Sequence, residues 1–175
     1  MRKTSEAGTK SPKRFLLTFA ALLILFYAVM ALHPVNDHVV VPFTAAVARV
    51  SARILNGMGE RVAVSGTAIT SNAFTVNIEN GCNGLETALL LAAAVLAFPA
   101  SWRQRLAGFF LGFALIEGVN LIRVVSLFWI GAHRPRWFGS AHTLVWQSLV
   151  VLAGVGIFVL WASIVTQKRP RPAAR

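Results

Sequence analysis

The sequence predicts an all-α integral membrane protein of about four transmembrane helices, with a small extracytoplasmic insertion made of an amphipathic helix and a β-hairpin. Three observations lead there. Hydrophobic residues make up 56% of the chain and charged residues 13%, with a mean hydropathy of +0.64, far more apolar than a water-soluble domain. Apolar runs approaching or exceeding the roughly 20 residues that cross a bilayer recur along the chain. Eleven of the 17 Lys and Arg residues sit in three segments, Arg2 to Arg14, Arg103 to Arg105 and Lys168 to Arg175, which flank those runs. With spans of that length, 175 residues leave no room for a separate soluble domain of the usual 100 to 150 or so.

Residues 1–14 form a basic tail, and the run Phe15 to Leu32 behind it is the first span. It exceeds the h-region of a signal peptide and no small-x-small cleavage site follows, so it reads as a retained helix. Residues 33–81 are more polar and form the insertion. Phe43, Val47, Val50, Ile54 and Met58 repeat at steps of three and four with Arg49 and Arg53 off the stripe, which suits a helix on the membrane surface or against the bundle. Beyond Gly57 and Gly59 the period changes to two, at Val62 and Val64 and again at Phe74, Val76 and Ile78, with a Thr70-Ser71-Asn72 turn between, which predicts a hairpin.

The second span, Gly84 to Phe98, is closed by Pro99. The third, Leu106 to Ile130, would be about 37 Å long as one helix, so tilt or a break near Gly118 is expected to absorb the excess over a core of roughly 30 Å. A loop over Gly131 to Ala141 leads to the fourth span, His142 to Val165, and residues 167–175 form a second basic tail. Residues 15–166 are thus a single membrane-embedded domain. The bases orient it: the two termini and the Arg103 loop face the cytoplasm, while the insertion and the last loop lie outside, with Arg134 and Arg136 counting against this. The net charge of +11 is topological, since the bases flank apolar runs instead of interleaving with aromatics; the expected partner is the lipid bilayer, not nucleic acid.

This topology gathers chemistry at one face. Cys82 opens the second span at its outer end, His142 opens the fourth, and Arg123 lies about 10 Å inside the outer end of the third, within reach of a long side chain. A thiol nucleophile, an imidazole that moves protons and a guanidinium that offsets negative charge are the parts of acyl-transfer chemistry. Cys82 is bracketed by Asn80, Gly81, Asn83 and Gly84, a turn at a helix start rather than a leucine-lined interior. Arg123 within an apolar run demands partners, and Glu117 and Asn120 are the nearest candidates. His33, His38 and His133 read as interfacial, and Trp129, Trp137, Trp146 and Trp161 as anchors or packing. Cys82 is the only cysteine, which excludes an intrachain disulfide and a multi-cysteine metal site; no metal or other cofactor is expected. The competing readings are a non-enzymatic scaffold, in which Glu117 and Arg123 lock the bundle and Cys82 merely packs, and a small transporter subunit with Arg123 in a conduction path.

The runs Asn80-Gly81-Cys82-Asn83-Gly84-Leu85-Glu86, Asn120-Leu121-Ile122-Arg123-Val124 and Ser140-Ala141-His142 resemble, in order and spacing, the motifs of the exosortase/archaeosortase family of membrane transpeptidases. The resemblance covers roughly Asn80 to Gln147. It implies Cys82 as nucleophile, Arg123 as catalytic arginine and His142 as catalytic histidine, with Asn83, Glu117 and Asn120 in support. The few spans and the inserted segment are most similar to the small exosortase H branch; Asn83 stands where many members carry serine or threonine. It also implies a multi-pass protein of the cytoplasmic (inner) membrane whose site faces the exterior. Its partners would be membrane-anchored exported proteins ending in a short PEP-CTERM-like or IPTL-like motif, a transmembrane helix and a basic tail, together with an acceptor that the resemblance does not identify.

Overall fold

The computed structural model describes residues 12–167; most of the amino-terminal basic tail and the basic segment from Lys168 lie outside the described residues. The chain is a helical membrane protein with five helices, α1 (Pro12–Met30), α2 (His33–Gly57), α3 (Leu85–Ala97), α4 (Trp102–His133) and α5 (Pro135–Gln167). All but α3 are long and apolar enough to cross a membrane. The expected number of long apolar helices is met, but not by the expected set. The second predicted span is α3, which at 13 residues is about 20 Å long, because Pro99 stops it early. The predicted surface helix instead extends back to His33, through a π-helical turn at Asn36–Val40.

Ring contacts and hydrogen bonds give the helix directions. Phe15, near the start of α1, lies against Phe98, just past the end of α3, and Asn36 accepts a hydrogen bond from Asn80, just before α3, at 3.1 Å; α1 and α3 therefore run antiparallel. After a break at Leu32, whose backbone is extended, α2 continues alongside α4 from about Phe113 onward. Its Phe43 sits 6.1 Å from Phe113, while Ile54 and Met58 line one groove with Leu121, Val125 and Trp129. The face of α2 that is buried is Thr44, Val47, Ala48, Ser51, Ala52 and Leu55. Of the predicted stripe, Val50, Ile54 and Met58 are exposed instead. The small side chains of Ala48, Ser51 and Ala52 allow close approach of a neighbouring element, with Val47 and Leu55 buried beside them.

One core cluster fills the helical end, with Ala88, Leu91 and Val95 of α3 against Ile116 of α4, backed by Ile157, Phe158 and Trp161 of α5. Trp161 also donates from Nε1 to the Gln104 carbonyl at 3.2 Å, which makes it a packing residue. The second cluster joins α2 and α4 to a small sheet through Leu55, Ile69, Ile78, Val124 and Phe128. That sheet is a three-stranded antiparallel meander of β1 (Ala63–Ser65), β2 (Ala68–Thr70) and β3 (Thr75–Asn77), in that order, one strand more than the predicted hairpin. The extra reversal is the two-residue link Gly66-Thr67, where Gly66 has φ 60°, as the first position of a tight primed turn requires.

Helix α4 is unbroken over 32 residues, about 48 Å, and Gly118 does not interrupt it. It starts at a capping box in which Ser101 and Gln104 satisfy each other's backbone N–H groups. The predicted loop after it shrinks to Arg134, because Pro135 supplies a preset φ for the first turn of α5. These features bring the segment before α3, the middle of α4 and the start of α5 to one level of the molecule.

Candidate active site

Cys82 sits in a turn between two glycines in the left-handed region, Gly81 and Gly84, each at φ 86°. The turn is held from below. The buried Asn83 side chain donates to Thr44 Oγ1 at 2.9 Å and accepts from the Leu85 N–H at 3.1 Å, so it joins α2 to the first turn of α3. The Cys82 N–H donates to the Glu79 carbonyl at 3.0 Å, which turns the chain out of the sheet. The thiol is half-buried in a cleft of about 380 Å³ between β3, α4 and α5.

The three groups expected at one face converge here. Cys82 Sγ lies 3.3 Å from His142 Nε2, and Arg123 Nη2 lies 3.5 Å from the same sulfur. His142 stacks on Phe138, with ring centroids 5.8 Å apart and planes 14° apart, which fixes the imidazole plane. Arg123 is 2% exposed and also points Nη2 at Gln147 Oε1, 3.5 Å away. The sequence singled out neither Gln147 nor its role. Five residues of α-helix would turn Gln147 about 140° away from His142. The π-helical segment Ala141–Trp146 widens that turn and presents both to the site; such segments recur at functional sites.

The expected partners of Arg123 are placed elsewhere. Six residues of α-helix turn Glu117 about 120° away from Arg123. Its carboxylate is buried and directed at Gly84. Asn120, three residues on from Glu117, is fully buried with its side chain against the Glu117 carboxylate and makes no hydrogen bond to Arg123. The only ion pair among the described residues is His133 with Glu60, 3.5 Å apart. Arg123 is therefore a buried cation facing a thiol and an amide, not half of a salt bridge, which removes the main support for the bundle-lock reading. Glu117 packs against the Gly84 end of the cysteine turn.

Gly84 carries a testable consequence. A Cβ there would lie 2.6 Å from a Glu117 oxygen, and the positive φ alone costs an L-residue about 1–2 kcal/mol. Gly84→Ala should lower the melting temperature in detergent. Adding Glu117→Ala should restore only the steric part of the loss, and unchanged melting of the single variant would remove Gly84 from this account.

The fold and this cluster together define a class: a multi-pass membrane protein with thiol, imidazole and guanidinium held together beside its helical bundle. Residues 8–166 match the family model described as Transmembrane exosortase (Exosortase_EpsH), and the chain belongs to that family. No curated protein and no solved structure matches it.

Proposed function

We propose that this exosortase is a membrane cysteine peptidase and transpeptidase that cleaves C-terminal sorting signals of exported proteins and passes the new C-terminus to an acceptor. The observation that carries the reading is the single sulfur within 3.5 Å of both an imidazole nitrogen and a buried guanidinium that has no carboxylate partner among the described residues. His142 Nε2 takes the thiol proton, and Arg123 stabilises the thiolate and then the oxyanion that forms as sulfur attacks the carbonyl. His142 returns the proton to the leaving amine as the C–N bond breaks, which leaves a thioester on Cys82. An amine, hydroxyl or water then attacks the thioester, gives its proton to His142 and releases the thiol. The proposed substrates carry a PEP-CTERM-like or IPTL-like motif, a transmembrane helix and a basic tail. The direct test is co-expression with such a substrate, comparing its size with the wild-type chain and with Cys82→Ala.

The site is proposed to face the exterior of the cytoplasmic membrane, with residues 33–81 on that side. Lys13, Arg14, Arg103 and Arg105 lie at the opposite end of the helices from Cys82, and Arg14 and Arg105 line one pocket there, while Arg49, Arg53, Arg61, Arg134 and Arg136 fall in the segments proposed to be exterior. Alkaline phosphatase fused after Asn56 or Phe138 should be active, and fused after Arg103 inactive. Activity at Arg103 would invert the orientation.

A further inference from the structure

The cleft beside Cys82 has a sheet edge for one wall. Strand β3 is the last strand of its sheet and pairs only with β2, in the register Ala68↔Asn77, Ile69↔Val76 and Thr70↔Thr75. The Ser71 N–H donates to the Phe74 carbonyl at 2.8 Å, and the Ile78 N–H donates to the Thr67 carbonyl at 3.1 Å. In an antiparallel ladder these bonds alternate, so Phe74, Val76 and Ile78 direct their backbone groups at β2. Thr75 and Asn77 therefore direct their N–H and C=O groups the other way, and these have no backbone partner among the described residues. The stretch Phe74 to Glu79 lines the cleft, with Val124 and Leu127 of α4 and Phe138 and His142 of α5 across from it. Phe138 against Phe74, 5.2 Å apart, bounds one end, and Cys82 against His142 bounds the other. The volume of about 380 Å³ falls within the range of ligand clefts.

An unpaired edge with regularly spaced donors and acceptors is a template for another extended chain. We infer that the residues preceding the substrate's transmembrane helix bind as a fourth strand on the free edge of β3, parallel to it, and so bring the scissile carbonyl to Cys82. The inference rests on the peptidase reading above and adds how that site holds its substrate. The polarity follows from geometry. Phe74 packs over Gly131 near the end of α4, whereas Cys82 lies beside Arg123, eight residues or about 12 Å back along the same helix. The chain from β3 to Cys82 thus descends toward the helical bundle. A substrate whose folded part is outside and whose C-terminal helix is in the bilayer descends too, so the two strands point the same way. Main-chain bonds supply affinity without regard to side chains, and the apolar wall of Val124, Leu127 and Phe138 reads alternate residues of the motif.

The test uses a reporter protein fused to a C-terminal sorting segment of the motif, helix and basic-tail type, co-expressed with the full chain. Asn77→Pro deletes the N–H that faces the free edge and leaves the bonds to β2 intact; edge strands tolerate proline in that position. Asn77→Ala deletes the side chain, which accepts from Thr67 Oγ1, but keeps the N–H. Shortening of the reporter should be at least tenfold slower with proline than with alanine. Protein level and labelling of Cys82 by an impermeant maleimide should be unchanged in both. In a Cys82→Ser background, Thr75→Cys and Asn77→Cys should form disulfides with single cysteines in the motif two residues apart, the Asn77→Cys partner being the more C-terminal. Wild-type shortening by Asn77→Pro, or cross-links in the reverse order or without order, would overturn the inference. Absence of any Cys82-dependent shortening by the wild-type chain would instead overturn the peptidase reading.

Discussion

Cys82→Ala should abolish shortening of a co-expressed substrate while the protein accumulates to the wild-type level. A nucleophile and a packing residue differ in what their removal leaves. Replacing a half-buried thiol with a methyl group removes one sulfur atom, and the Cys82 turn keeps its other supports in the left-handed glycines, the Asn83 bonds and the Cys82 N–H to Glu79. A structural cysteine would therefore leave activity wherever the chain still folds, and a nucleophile leaves none. Cys82→Ser should be nearly as inactive, because the alkoxide is much harder to form than the thiolate. In His142→Ala the leaving amine has no proton donor and the acceptor no base, so any thioester that forms should persist as an adduct cleaved by hydroxylamine, and Cys82→Ala should show no such adduct. Shortening by a well-folded Cys82→Ala chain would end the cysteine mechanism.

The parts of the site were legible in the sequence because each one breaks a local pattern. Cys82 lies in a polar glycine turn where an apolar helix begins, Arg123 interrupts an apolar run, and His142 stands at the head of another. Their common level followed from span direction, with Cys82 and His142 at outer helix ends and Arg123 inside a third helix, but the 3.3 and 3.5 Å contacts come from the fold. Gln147 was not legible, because its approach to Arg123 depends on the π-helical turn at Ala141–Trp146, and one wide turn leaves no trace in hydropathy. The pairing of Arg123 with Glu117 failed for a related reason. Closeness in sequence on a helix is not closeness in space unless the spacing is three or four, and six residues place the carboxylate under Gly84. At the level of the fold, α2 carries two apolar faces. Periodicity found Val50, Ile54 and Met58, but the sheet and α4 cover the neighbouring face of Val47, Ala48, Ser51, Ala52 and Leu55, whose small residues permit close packing. Strand β2 escaped because Ala68–Thr70 carries a single large apolar residue, Ile69, and alternation needs at least two, as at Val62 and Val64 or Phe74, Val76 and Ile78.

Arg123→Lys should reduce substrate shortening by about 10² or more, the scale expected when one oxyanion donor is lost from a preorganised site. The substitution keeps the charge, so a role for Arg123 as a mere counter-charge predicts near-normal activity. The structure gives the guanidinium a more demanding task. Its buried Nη2 lies 3.5 Å from the Cys82 sulfur and 3.5 Å from Gln147 Oε1, while the other arm of the planar fork stays available to a developing oxyanion. A lysine ammonium is a single point at the end of a flexible stem; held on the thiolate it leaves the oxyanion, and held on Gln147 it leaves both. The variant should accumulate in the membrane, because a buried cation with Gln147 in reach remains partly satisfied. Labelling of Cys82 by a small thiol reagent should slow, since the thiolate loses a fixed neighbour. Gln147→Ala frees the guanidinium from its tether without removing it, so the expected loss is smaller, about tenfold. Equal activity of Arg123→Lys and the wild-type chain would reduce Arg123 to a charge, and loss of the protein from the membrane would reduce it to a structural residue.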